Sequence, residues 1–436
     1  MKILAVNPWI DDFAAYDFWL KPYGFLVILC YLKNLGAEID FIDCLDKKIS
    51  IDRFGRGKYF SQIIEKPEPL KSVPRYFKRY GITPEEFRQK LPENKPDFIL
   101  ITSSMTYWYQ GIIKAAGILK ERFPSTPIIL GGTYATLCLD HARKNIPCEK
   151  IFPNSRLKEF FQELGVELNK EKLFSTLPDY QDYYEKIDYA VLRTSWGCPF
   201  NCSYCAIKKL HPEFFRAGEG KILNFILRNY RSGISDFVFY DDALLYENQY
   251  IKTLLKDIIK LKLKIRFHTP NALHLRFLDQ ETACLIKESG FTNPHFGLET
   301  LDSRLQKEWG DKVSSEEVLR GTAYLKKAGF KNGEFSMYLL LGYPGQDFGR
   351  LKKDAEYLHN LGAKISLAEF SITPKTKIFQ DYRNKFSEPL LQNNSIFLSK
   401  TGKDLNKFYE IKNFVRSLNQ KHNPPSITQL LNIQTP

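Results

Sequence analysis

The chain has 436 residues, 43% of them hydrophobic, which suits two or three domains with sizeable cores. Its net charge of +13 is spread out, densest at Lys47, Lys48, Arg53, Arg56, Arg75, Lys78 and Arg79, and reads as a solvated basic surface, with nucleic acid or an acidic partner as the alternative. The longest apolar run, GFLVILCYL at 24–32, is too short for a bilayer, which needs about 20 residues, and nothing there resembles a signal peptide, so a cytoplasmic chain with reduced thiols and no membrane contact is expected.

The first part of the chain, to about residue 145, alternates apolar runs with helical patterns, as a doubly wound parallel sheet does. KILAVNPW, EIDFIDC, DFILITSS and PIILGG are the expected strands, and PYGFLVILCYLKNLG is a helix closed by Gly36. Residues 45–96 are rich in Pro, Lys and Arg and read as irregular. Ligands of such a sheet bind at the carboxyl ends of its strands, here NPW, SSMT and GGTY.

Residues 146–186 read as a connector with one helix near SRLKEFFQEL. Over 187–375 a second series has six strands: YAVLRTS, DFVFYDD, KIRFHTP, PHFGLET, EFSMYLLLG and KISLAEF. Helical stretches separate them, which predicts a partial (β/α)6 barrel. From 376 to 436 a short helical extension follows, with a helix at DLNKFYEIKNFVRSLN and a loose end HNPPSITQLLNIQTP.

The chemistry concentrates at 196–209, WGCPFNCSYCAIKK. Cys198, Cys202 and Cys205 directly follow the first barrel strand, on the carboxyl-end loop where barrel enzymes keep their chemistry. Thiolates are the usual ligands of iron–sulfur clusters. Three would hold three irons of a 4Fe–4S cube and leave the fourth open to an outside ligand. The alternative is a zinc site completed by His211. Cys30, Cys44, Cys138, Cys148 and Cys284 are scattered and read as core residues.

GCPFNCSYC resembles the signature of the radical S-adenosylmethionine (SAM) superfamily, with Tyr204 as its aromatic residue. The resemblance implies that the open iron chelates SAM and that one electron releases a 5′-deoxyadenosyl radical, which abstracts hydrogen from a substrate. It extends to about residue 375 and implies further contacts. Asp241 or Asp242, ending FVFYDD, would meet the methionine ammonium; capping the next helix is their structural alternative. Asn271 would hydrogen-bond the cofactor, Glu299 the ribose hydroxyls, and the turn at Gly342 and Gly345 would admit the adenine. Gln346 stands where many relatives have Glu, and Lys312 reads as a solvated surface residue.

The first domain resembles the cobalamin-binding domains that precede one branch of this superfamily. Gly131 and Gly132 would let backbone approach a flat ligand, and Ser103 or Ser104 would bond its edge. The first loop, NPWIDDFAAYDFW, has no histidine to ligate cobalt, and the domain's one histidine is His141. Trp9, Phe13, Tyr16, Phe18, Trp19, Tyr107, Trp108 and Tyr109 are either the floor of a ligand pocket or core packing.

A radical SAM enzyme follows as the expectation. With cobalamin its reaction is methyl transfer to an unactivated carbon or phosphorus. Without cobalamin it is a dehydrogenation, rearrangement or ring closure, with the first domain holding substrate. A non-catalytic electron carrier and a nucleic-acid-modifying enzyme are the competing classes. The substrate expected is a small molecule or peptide, not a nucleic acid, and the electron donor a flavodoxin or ferredoxin.

Overall fold

The computed structural model describes residues 1–400 and 404–422. It divides into two compact units. The first comprises 1–198, 204–238 and 372–396; the second comprises 199–203, 239–371 and the described residues from 397 onward.

The first unit is built on a five-stranded parallel sheet: β1 (Lys2–Asn7), β2 (Glu38–Asp43), β3 (Phe98–Ile101), β4 (Ile128–Leu130) and β5 (Lys150–Ile151). Its order, β2-β1-β3-β4-β5, is that of a doubly wound flavodoxin-like sheet, with the switch point between β1 and β3. Continuous aliphatic runs such as FILI and IIL are almost wholly buried, as a sheet covered on both faces requires. Helix Tyr23–Lys33 ends where expected. Gly36 takes φ +90°, and the bonds from Gly36 N–H to Lys33 and from Ala37 N–H to Leu32 form a Schellman closure.

Residues 45–96 are not irregular, as the composition suggested. Strand Lys78–Tyr80 pairs antiparallel with Ile10–Asp12 on one side and Ser61–Ile63 on the other, and Lys48–Ile51 pairs with Gly57–Tyr59. Strands of three or four residues are too short to display a period of two. β5 likewise falls inside the stretch read as a connector, and the helix expected there is Leu157–Glu163.

Segment 372–396 is woven into this unit rather than trailing from it. Gln392 accepts from the Thr106 hydroxyl (2.6 Å), Glu388 from the Tyr109 hydroxyl (2.8 Å), and Asn393 donates to Asp12 (2.9 Å). The unit also holds β6 (Ala190–Leu192) beside β7 (Asp236–Phe239), whose last residue belongs to the second unit.

The second unit carries β8 (Arg266–His268), β9 (His295–Glu299), β10 (Ser336–Leu341) and β11 (Lys364–Glu369), the last three forming a parallel sheet in that order. All six strands of the second series are present. Four helices of this unit begin at side-chain caps: Asp279, Asp302, Ser314 with Glu317 in a capping box, and Asp347. The final helix, Leu405–His422, buries Phe408, Ile411, Val415 and Leu418. Its Asn419 amide bonds both the N–H (2.9 Å) and the carbonyl (2.8 Å) of Ile365, occupying one residue of β11 as a neighbouring strand would. The loose end lies outside the described residues beyond His422.

Candidate active site

Four strand ends of the second unit carry the polar residues singled out above. β7 runs into Asp241, which is buried, and Asp242, which is half-buried. The next helix starts at Gln249 with Asn248 before it and no side-chain cap, so neither aspartate serves as a cap. Asn271, past β8, donates its amide to the carbonyls of Tyr240 (2.9 Å) and Asp241 (3.4 Å), tying the two strand ends together.

Glu299 ends β9 in a strained conformation. Its φ is +70°, a region that costs a non-glycine residue about 1 kcal/mol or more, and the register with β10 slips between Gly297 and Glu299. The carboxylate lies 2.9 Å from the Lys312 ammonium, and both side chains are largely buried. Lys312 is therefore not a solvated surface residue; a lysine is buried where a carboxylate neutralises it. A Cβ on Gly297 would come 2.3 Å from Nζ of Lys312 and 3.0 Å from the Glu299 carboxylate, so a side chain there would push the pair aside. Opposite Gly297 stands Tyr338, whose hydroxyl donates to Pro270 and whose pKa is pushed up to about 12 by burial and by the charge of Glu299.

The turn after β10 has the backbone expected of it, with φ +92° at Gly342 and +73° at Gly345. One side of this turn is occupied. A Cβ on Gly342 would meet the Leu398 side chain at 2.5 Å, so this face of the glycine is already covered by protein. Gln346 has a definite role here. Its amide oxygen accepts from Gly342 N–H (2.8 Å) and its amide nitrogen donates to Leu340 (2.7 Å), which a carboxylate, being acceptor only, could not do.

The cysteine loop is shared between the units: Cys198, Tyr204 and Cys205 fall in the first, Pro199–Ser203 in the second. None of the three cysteines is in a disulfide; Cys198 is buried, Cys202 half-buried and Cys205 exposed, with Tyr204 half-buried. Among the described residues no three Cys, His, Asp or Glu side chains gather as ligands of one ion. Thiolates on separate corners of a cube need not converge in that way, whereas a tetrahedral zinc site must. His211 is packed edge-on against Trp196 at 5.1 Å, and burial followed by the charge of Arg193 pushes its pKa down to about 3. Three thiols on one short loop are a donor set that fits a thiolate-held cluster.

Residues the sequence reading passed over surround the loop within the second unit. Phe200 stacks on His274 at 5.0 Å, and His274 is buried with its Nδ1 unpartnered. Burial, then Lys312 and Arg276, hold that imidazole well below its usual pKa and therefore neutral. Trp309 and Gly310 border the loop as well; a glycine directly after a helix was the one signal in the sequence for this corner.

In the first unit the expected ligand groups are used by the protein itself. Ser103 is buried; its hydroxyl donates to Gly131 (2.6 Å) and accepts from Ala135 N–H (3.2 Å), so its one proton is not available to a ligand edge. A Cβ on Gly132 would fall 2.3 Å from the Ser103 carbonyl, so that glycine admits the neighbouring strand end. Gly131 is half-buried and Ser104 exposed, leaving those two open. Trp9, Phe13, Trp19 and Tyr109 are core residues: the Trp9 indole donates to Ile82 (2.6 Å) and the Trp19 indole to Phe54 (2.9 Å), while Phe18 is exposed. His141 is held by the Tyr134 hydroxyl at Nδ1 (2.7 Å) and faces Glu388 at Nε2 (3.5 Å).

The second series thus carries a three-cysteine loop after β6 and a largely buried acid–ammonium pair after β9, at the carboxyl ends of strands where barrel enzymes keep their chemistry. Residues 192–358, which carry the three-cysteine loop, match the Radical SAM superfamily. That family implies a 4Fe–4S cluster and SAM. Among curated proteins the chain is 21% identical over 325 residues to an uncharacterized methyltransferase of Pyrococcus horikoshii, covering 65% of this chain and 69% of that one. It is 20% identical over 330 residues to the ribosomal protein uS12 methylthiotransferase RimO of Clostridium botulinum, covering 71% and 67%. The fold is that of TsrM from Kitasatospora setae, a radical SAM methyltransferase solved with cobalamin and a 4Fe–4S cluster (TM-score 0.64, 14% identity, 88% of this chain and 78% of that one). It is also that of the cobalamin-dependent radical enzyme OxsB (TM-score 0.57, 15% identity, 93% and 57%). Among the described residues no helix is long and apolar enough to cross a membrane.

Proposed function

We propose that this chain is a cobalamin-dependent radical SAM methyltransferase acting on an unactivated carbon or phosphorus of a small molecule or peptide. The observation that carries this reading is the union in one chain of a 2-1-3-4-5 doubly wound sheet and the three-cysteine barrel loop, the architecture shared with TsrM and OxsB. When bound, the cluster with SAM supplies a hydrogen-abstracting radical and the corrinoid supplies a methyl group. The chain's own residues bind and orient. Cys198, Cys202 and Cys205 hold the cluster, and Tyr204 packs beside it. Asp241, with Asp242 at its side, pairs with the methionine ammonium. Asn271 fixes the loop next to it, and Glu299, charged and held by Lys312, accepts from the ribose hydroxyls. Gly131 and Ser104 are the open positions for the corrinoid. The electron comes from a flavodoxin- or ferredoxin-type donor.

The internal use of Ser103 and Gly132 favours a second reading, in which the first unit binds substrate and the reaction is a cobalamin-independent rearrangement, dehydrogenation or ring closure. Anaerobic reconstitution with iron, sulfide and hydroxocobalamin, followed by dithionite and SAM, separates the two. Deoxyadenosine together with co-purifying corrinoid absorbance is expected. Deoxyadenosine without corrinoid supports the second reading, and none at all with an intact cluster removes both.

A further inference from the structure

We infer that Trp309 and Gly310 are positioning residues for the cluster loop, fixing the backbone of Cys202 from the end of the helix that follows Glu299. The inference rests on Cys202 being a cluster ligand. Helix Ser303–Trp309 starts on Asp302, whose carboxylate accepts from Arg304 N–H (2.9 Å) and Leu305 N–H (3.2 Å), and it ends on Gly310 in the left-handed region at φ +116°. A Cβ on Gly310 would stand 2.9 Å from Cα of Cys202, 3.1 Å from the Asn201 carbonyl and 3.2 Å from Cys202 N. These are backbone atoms, so no side-chain rotation can relieve the clash. One residue back, the Trp309 carbonyl accepts from Ser203 N–H at 3.1 Å.

The corner is itself held firmly. The Trp309 ring is buried against Tyr343 at 4.3 Å, and Tyr343 packs on Phe370 at 5.0 Å, which anchors it to the ends of β10 and β11. On the other flank of the loop, Phe200 is gripped by His274 and by Phe277 at 5.6 Å. Segment 199–203 is thus clamped at both ends, with Cys202 at the clamp that only a glycine can form. Two residues beyond Gly310 the chain reaches Lys312 and closes back on Glu299. The stretch that shapes the cluster loop is therefore the one that holds the acid proposed for SAM.

The test compares Gly310→Ala with Gly362→Ala in the full chain reconstituted anaerobically. Gly362 is also left-handed (φ +94°), and a Cβ there would crowd the Asn332 side chain at 2.4 Å, so it carries similar strain without touching the loop. Gly310→Ala is expected to surrender iron to a chelator about tenfold faster than the parent and to broaden the EPR signal of the reduced cluster. Gly362→Ala is expected to match the parent in both. Equal release from the two variants, or from neither, overturns the inference. If Gly310→Ala does not fold, Gly310→Asn relaxes the dihedral while keeping the backbone clash, and parental iron retention there overturns it equally. A Cys202→Ala protein with full iron would instead remove the ligand assignment on which the inference stands.

Discussion

The two units use the same strand–helix grammar and spend their polar groups in opposite ways. In the first unit Ser103 is bonded to Gly131 and Ala135, and the indoles of Trp9 and Trp19 donate to Ile82 and Phe54. At the strand ends of the second, polar groups are held in strained or unsatisfied states: Glu299 at positive φ, Lys312 buried on a carboxylate, His274 Nδ1 without a partner. Strain and unsatisfied burial cost free energy, and they persist where something else repays them. Glu299, Lys312 and His274 are thus the groups of the second unit whose cost calls for a function.

The largest expected effect tests the chemical side of that contrast. Cys202→Ala should lose the cluster's iron and its visible absorbance after reconstitution, measured by iron assay and spectroscopy. Glu299→Ala comes next: iron content should stay at the parental level while SAM affinity, read by equilibrium binding, falls about tenfold or more, the weight of a charge-assisted hydrogen bond. Unchanged affinity would show that the pair with Lys312 is purely structural.

Ser103→Ala sharpens the other side. It removes a buried hydroxyl with two partners and should destabilise the chain by about 1–2 kcal/mol in denaturant unfolding, while leaving any corrinoid binding unchanged. Weakened corrinoid binding at parental stability would mean that the hydroxyl serves the ligand after all.

The smallest effect concerns stability alone. Burial raises the Asp279 pKa, but the ion pair with Lys252 and the Thr282 N–H and hydroxyl outweigh it and hold the group at about 2, below its ordinary 3.8. A depressed folded pKa stabilises above the unfolded value and is lost as pH falls through the folded one. Asp279→Ala should cost about 1 kcal/mol at neutral pH as a lost helix cap. That deficit should shrink in acid unfolding between pH 3.8 and about 2.

What was legible in the sequence was local. Aliphatic runs bounded by Gly and Pro gave the strands of both series, and Gly36 marked a helix end, because capping and periodicity are decided within a few residues. The cysteine spacing was legible for the same reason, since its ligands lie on one short loop. Short antiparallel strands in 45–96 were not, being below the length at which a period shows.

The sequence by itself determined the strand–helix series and the thiolate chemistry. Only the tertiary structure decided what each lone residue does. Lys312 is a buried partner and not a surface charge because β9 and the loop after its helix return to one place. Ser103 is bonded inward because β4 ends beside it, and Gly342 is covered because Leu398 comes back across it. Gly310 matters because Cys202, more than a hundred positions earlier in the chain, rests against it. Such roles depend on which distant segments meet, and no local pattern of residues encodes that meeting.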